Sequence, residues 1–162
     1  ENMDPVFYGT SHDDLPHWNN ESADLTLLIG EAFGRKSPVP VFSQLFMVEV
    51  NAKREFTLDL NKGLTGELGI LISKGNVSAN DTFVDEGQLL VAKNSDSCIV
   101  TISRDSRIFL FGGEPFEEKR YIDWNFVASE KNIIENAIFD WQNKKFPSIV
   151  GDDTYVPYPE IK

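Results

Sequence analysis

At 162 residues and 18.3 kDa, with 41% hydrophobic and 25% charged residues, the chain is of single-domain size and too apolar for wholesale disorder. Fifteen Lys and Arg against 26 Asp and Glu leave a net charge of −11, which repels a phosphate backbone and argues against direct nucleic-acid binding. The single cysteine, Cys98, excludes an internal disulfide or a Cys-based zinc site, and the two histidines, His12 and His17, exclude a three-histidine metal site.

Residues 1–24 are polar and broken by Pro5 and Pro16, and they are expected to form an extended N-terminal segment with an edge strand around Val6–Tyr8. From residue 25 to 128 short β-type runs alternate with turn chemistry. Leu25–Ile29 is closed by Gly30-Glu31-Ala32-Phe33-Gly34, and Val41–Val50 follows Pro38 and Pro40. Glu55–Leu60 alternates with period two, Phe56, Leu58 and Leu60 on one face, as in a half-buried strand. Gly66–Ser73, a Lys74-Gly75-Asn76 turn and a hairpin partner over Val77–Val84 come next. Gln88–Ala92, Cys98–Ser103 and Arg107–Phe111 complete the strands. Cys98 sits in an apolar run and is expected to be a buried, inert thiol. The pattern predicts a mainly β fold, an antiparallel barrel or sandwich. One helix follows over 129–145: Ser129 as N-cap, Glu130 in the first turn, Ile134, Ile138 and Trp141 on one stripe, Lys144 and Lys145 at the end and Pro147 as the stop. It is expected to pack on the barrel, with 146–162 as an extended tail.

No apolar run approaches the roughly 18 residues of a membrane span, and no signal peptide is evident, so a reducing, cytoplasmic location without membrane contact is expected. A first residue Glu1 in place of Met is consistent with a processed or excised boundary. The Asn-x-Ser/Thr triplets at Asn20, Asn76 and Asn80 are attributed to composition.

Few residues suggest chemistry. His12-Asp13-Asp14-Leu15-Pro16-His17 holds the right ligand types for a metal, but on a polar segment without stiff support, so His12 and His17 are expected to be solvated. Asp85-Glu86-Gly87 and Asp152-Asp153 lack the alternate acidic spacing of a calcium loop. Glu117-Glu118, next to Lys119 and Arg120, is explained by surface ion pairing. No phosphate loop, nucleophile elbow or Ser/His/Asp arrangement is present.

Three stretches carry a resemblance. Gly30-Glu31-Ala32-Phe33-Gly34-Arg35-Lys36-Ser37-Pro38-Val39, the turn Leu110-Phe111-Gly112-Gly113-Glu114-Pro115-Phe116-Glu117-Glu118, and Trp124–Ser129 with the helix, Phe146-Pro147 and Gly151-Asp152-Asp153 resemble the C-terminal half of pirin-family proteins. Met3-Asp4-Pro5-Val6-Phe7 is similar to the junction between that family's two halves. Departures occur at Lys119 and at Trp124-Asn125-Phe126. The resemblance implies a cupin-type β-barrel that is one half of a bicupin protein. It also implies an iron in the missing N-terminal cupin, held by three histidines and a glutamate. Some members of the family are quercetin-type flavonol dioxygenases and others are transcription co-regulators. None of the iron ligands carries over: Gly66-Glu67-Leu68-Gly69-Ile70-Leu71-Ile72, the corresponding strand, has no histidine.

The expectation is therefore a metal-free structural or interaction half without catalytic residues or a cofactor of its own. Its partner is the N-terminal cupin half, or a second copy if the chain stands alone. Phe116, Trp124 and Phe126 are the candidate interface or pocket residues, the competing expectation being that they fill the barrel's own core. The alternatives are a part of a flavonol dioxygenase, a module for a small apolar ligand, and a co-regulator acting through protein contacts.

Overall fold

The computed structural model describes Met3 and residues 6–79, 82–92 and 99–159; Cys98 and Asn80 lie outside the described residues. The chain divides into two compact units, residues 5–115 and, largely, residues 116–162. The first contains β1 (His17–Asn19), β2 (Ala23–Ala32), β3 (Arg35–Lys36), β4 (Leu45–Ala52), β5 (Phe56–Asp59), β6 (Glu67–Lys74), β7 (Asn76–Ala79), β8 (Thr82–Asp85), β9 (Leu89–Ala92), β10 (Ile99–Ile102) and β11 (Arg107–Gly113). The second contains β12 (Tyr121–Asp123), β13 (Phe126–Ala128) and α1 (Lys131–Gln142).

The strands of the first unit form an antiparallel sandwich. A seven-stranded sheet runs β1-β2-β4-β11-β6-β9 with β3 beside β2, and a four-stranded sheet runs β5-β10-β7-β8. Alternation decides which side chains meet between them. Val48 and Val50 of β4, Ile70 and Ile72 of β6, and Ile108 and Leu110 of β11 are fully buried from one side. Val77 of β7 and Val100 and Ile102 of β10 are fully buried from the other. β-Branched side chains suit this half-buried pleated surface, and their burial is the main source of stability.

Several elements differ from expectation. Pairing begins at His17 within the predicted N-terminal segment, and Trp18 joins the core from β1. Val6–Tyr8 is not a strand. The run Val77–Val84 is not a partner of β6; it splits into β7 and β8, which pair with each other in the opposite sheet. Gly75, at φ 81°, makes this crossing, and a Cβ there would lie 2.1 Å from Ser106 Oγ. The Asn76 amide donates to Ser103 Oγ and Ser106 Oγ at 3.3 Å each, while Ser103 Oγ donates to the Asn76 carbonyl at 3.0 Å. The change of direction therefore leaves neither the amide nor the carbonyl of Asn76 orphaned.

In the second unit β12 and β13 form their own two-stranded hairpin, although the predicted barrel span of 25–128 includes them, and α1 packs against it. The helix is shorter than the predicted 129–145. Glu130, not Ser129, is at the N-cap and makes no side-chain cap bond. At the other end Lys144, at φ 54°, has left the helix, so neither Lys144 nor Lys145 is in the last turn; Lys145 Nζ instead meets Asp140 Oδ1 at 3.0 Å. Among the described residues no helix is long and apolar enough to cross a membrane.

The layering predicts a sharp contrast between two substitutions. Ile70→Ala, in the fully buried layer, is expected to cost about 2–5 kcal/mol. Phe83→Ala, on the outside of the four-stranded sheet and 71% exposed, is expected to cost no more than about 0.5 kcal/mol. Urea unfolding of both variants checks this through the midpoint at unchanged slope.

Candidate functional site

The two histidines do meet, with ring centroids 4.5 Å apart, but both ring nitrogens of His17 are used locally. His17 Nε2 lies 2.7 Å from the His12 carbonyl oxygen, which can only accept, so Nε2 carries the proton in the neutral ring. Nδ1 then accepts from Thr26 Oγ1 at 3.0 Å. Both positions through which an imidazole binds a metal are thus engaged in tying the N-terminal turn to β2. Among the described residues no group of three His, Cys, Asp or Glu side chains is placed to hold a metal ion.

One carboxylate of the acidic turns, Asp152, is engaged locally as well. Thr154 donates to Asp152 Oδ1 from its amide at 2.9 Å and its hydroxyl at 2.6 Å, which holds that carboxyl below the usual range. Gln88 Oε1 accepts from the Asp85 amide at 2.9 Å. Glu118 pairs with Arg120 at 3.3 Å, and the Arg120 guanidinium lies 4.7 Å from the centre of the exposed Phe116 ring. Gly112 of the glycine pair lets strand approach strand: a Cβ there would lie 1.8 Å from the Glu67 carbonyl oxygen.

Trp124 and Phe126 belong to an aromatic cluster with Trp141 of α1, Phe146, Tyr155 and Tyr158 of the tail. Trp124 and Asn125 are the two-residue loop between β12 and β13, and Trp124 stands at φ 51°. Tight hairpins need positive φ in such a loop, normally met by glycine; a bulky residue there is strained. The edge-on rings of Phe126, Trp141 and Tyr158, with centroids 5.6, 5.3 and 5.8 Å away, hold it. The tail is bonded down as well. Trp141 Nε1 donates to the Val156 carbonyl at 2.8 Å, and Tyr158 Oη to Asp123 Oδ1 at 2.6 Å. These half-buried and exposed rings pack on one another within the second unit, and Trp124 and Phe126 do not join the core cluster of the first unit as the second expectation had it.

The sandwich interior carries no chemistry of its own among the described residues. Its fully buried side chains are aliphatic, and the buried Thr26 and Glu49 lie outside it: they face each other in register on the outer side of β2 and β4. There Arg107 Nε donates to Glu49 Oε1 at 2.5 Å. Beyond this pair the outer side of the seven-stranded sheet turns apolar. Phe109 is opposite Leu71, which is opposite Leu89, and in the next row Met47, Phe111, Gly69 and Val91 align. The Phe111 ring lies over Gly69, where a Cβ would come within 2.9 Å of it. Leu71, Leu89 and Val91 are 36%, 51% and 56% exposed. Period-two reading of single strands missed this face, although the unbroken apolar runs Leu45–Val48, Ile70–Ile72 and Ile108–Phe111 signal sheets apolar on both sides.

Residues 45–147 match the family described as the Pirin C-terminal cupin domain. The chain belongs to the pirin family. A pirin-like protein of Caulobacter vibrioides is 34% identical over 99% of this chain and 56% of its own length. A crystal structure of a quercetin 2,3-dioxygenase from Acinetobacter baumannii superposes with a TM-score of 0.77 at 25% identity, over 92% of this chain and 51% of that one. A second structure of a quercetin 2,3-dioxygenase from the same organism gives 0.68 at 21% identity, over 84% and 49%. This pirin C-terminal cupin domain spans about half the length of the curated relatives it matches. The described residues of this pirin domain do not fit an iron centre: the fully buried side chains of its interior are aliphatic, both ring nitrogens of His17 are bonded locally, and no group of three ligating side chains is assembled.

The Tyr158–Asp123 bond makes the tail sensitive to alkali. The neighbouring carboxylate, foremost through this bond, holds the phenol above the ordinary tyrosine range. The bond's contribution is therefore complete below about pH 10, the unfolded value, and is lost as pH rises through the higher folded value. Tryptophan fluorescence from about pH 8 to 12 is expected to report tail release in the parent, and Tyr158→Phe is expected to lose that transition.

Proposed function

We propose that this chain is the metal-free, non-catalytic half of a pirin-like protein, a structural and interaction domain supporting an N-terminal cupin. What carries this reading is the content of the sandwich. Where a cupin oxygenase needs ligating side chains and room for a substrate, Val48, Ile70, Ile72, Ile102, Ile108 and Leu110 pack side chain against side chain at 0% exposure. Such an interior supplies neither lone pairs for a metal nor an open volume for a flavonol. The dioxygenase name of the structural relatives thus bears on the whole protein, and any iron and oxygen chemistry is assigned to the other half. The packed interior also disfavours a small-apolar-ligand module, and a co-regulator role would act through protein contacts.

Metal analysis of the untagged chain tests this. Fewer than about 0.1 iron, nickel, copper, zinc or manganese atoms per chain are expected, and His12→Ala/His17→Ala is expected to leave that unchanged. One equivalent of metal that survives dialysis against a chelator would overturn the reading. So would a saturable rise in melting temperature on titration with quercetin, which reports binding to the folded state.

A further inference from the structure

We infer that the aromatic platform of the second unit, built from Trp124, Trp141, Lys144 and Asp123, is a binding site for an extended, proline-bearing peptide of a partner protein, kept occupied by the chain's own tail. This goes beyond the metal-free reading and does not depend on it. Two observations carry it.

The first is the chemistry of what is seated there. Residues 153–159, Asp-Thr-Tyr-Val-Pro-Tyr-Pro, have no regular secondary structure. Pro157 and Pro159 fix their own φ near about −65° and favour an extended backbone at Val156 and Tyr158 before them. Such a segment is ordered in advance, so binding it costs little chain entropy, and it offers carbonyl oxygens where N–H donors are missing. The platform supplies the complement. Trp141 Nε1, which can only donate, meets the Val156 carbonyl at 2.8 Å. The Tyr155 ring stacks on Trp141, centroids 5.5 Å apart and planes at 23°, and Lys144 Nζ lies 5.0 Å from its centre. Tyr158 stands edge-on to Trp124 at 5.8 Å and donates to Asp123 Oδ1 at 2.6 Å. Rings that read a proline-bearing strand are a general mode of peptide recognition.

The second is how the tail is held. Among the described residues no backbone–backbone hydrogen bond reaches 153–159. The bonds to the platform are donated by side chains: Trp141 Nε1, Tyr158 Oη and Tyr155 Oη, the last to the Trp141 carbonyl at 3.2 Å. Tyr155 and Val156 remain 40% and 63% exposed, so the tail lies on the platform from one side, as a ligand does. None of these contacts uses the covalent link. The same peptide carried by another chain makes them equally well.

The tether decides how firmly the site is closed. Between α1 and the seated segment the chain has turns and the single Ile149–Asp152 bridge, and a short linker of this kind holds its ligand at about millimolar effective concentration. Against a peptide dissociation constant of about 100 μM the tail then fills the site about nine-tenths of the time, which weakens a competing peptide about tenfold. A second copy gains nothing by exchange, because each copy brings its own tail at the same local concentration. A partner whose peptide has this core and adds contacts of its own displaces the tail.

The test follows fluorescence polarisation of a fluorescein-labelled peptide with the sequence of residues 152–159, titrated with the 162-residue chain. Tyr155→Ala/Tyr158→Ala, which weakens the tail and leaves the platform, should bind the peptide about tenfold more tightly than the parent. If that variant does not melt cooperatively, Tyr155→Ala serves, with a smaller gain in the same direction. In the released background Trp141→Phe, which keeps a ring and loses the Nε1 donor, should weaken binding at least about threefold with cooperative melting retained. A peptide with both prolines replaced by alanine should lose at least about threefold as well. No saturable binding to the released variant up to about 1 mM would overturn the proposal. So would equal affinity for parent and released variant, or an affinity that Trp141→Phe or the alanine peptide leaves unchanged. A dimer of the parent in sedimentation equilibrium that Tyr155→Ala/Tyr158→Ala dissociates would assign the platform to a second copy's tail and overturn the proposal too. None of these readouts involves metal, so the metal-free reading stands or falls separately.

Discussion

Strand β11 is gripped along its whole length from both edges, Arg107–Gly113 pairing with β4 on one side and β6 on the other. Its side chains divide the molecule's properties between two surfaces. Ile108 and Leu110 point inward to the layer on which folding depends, and the half-buried Phe109 and Phe111 point outward on the other side of the sheet. The strand admits no substitution by polar residues on the inner side without opening a buried void or burying an unpaired group. Its glycine end is equally constrained: Gly112 is where the β6 backbone approaches too closely for any side chain. The same strand thus sets sheet order, core composition and the character of the outer surface.

A cupin-type sandwich is a container, and what fills it decides what it can do. Here the filling is aliphatic. Apolar side chains in contact gain dispersion energy and exclude water, which is why such an interior is a good structural support and a poor ligand site. The polar groups are instead on the outside, and they are satisfied there: His17 between Thr26 and the His12 carbonyl, Glu49 against Arg107. Among the described residues no buried side-chain nitrogen or oxygen lacks a partner.

The second unit solves a different problem. A two-stranded hairpin and one helix bury too little to be stable by aliphatic packing alone. Rings compensate, because each buries a large area and edge-on pairs add a favourable electrostatic contact. Trp124 is the centre of this arrangement. Its left-handed backbone costs energy that the surrounding Phe126, Trp141 and Tyr158 offset, and the tail residues Tyr155 and Tyr158 close over the cluster with hydrogen bonds at their polar ends. A departure from the family pattern at Trp124-Asn125-Phe126 is in this way part of a packed structure rather than an irregularity.

By itself the amino-acid sequence determined the antiparallel β class, the helix stripe of Ile134, Ile138 and Trp141, the absence of a three-histidine centre and the pirin-family resemblance. These depend on local periodicity and residue type, which a linear chain displays directly. Only the tertiary structure decided the rest. That Val77–Val84 would leave β6 for the opposite sheet turned on Ser106 standing above Gly75, a contact between residues far apart in sequence. That Trp124 and Phe126 would serve their own unit depended on Trp141 and the tail folding back to meet them. The apolar outer face was hidden for the same reason: Phe111, Leu71 and Val91 come from three separate strands, and only hydrogen-bonded register places them side by side.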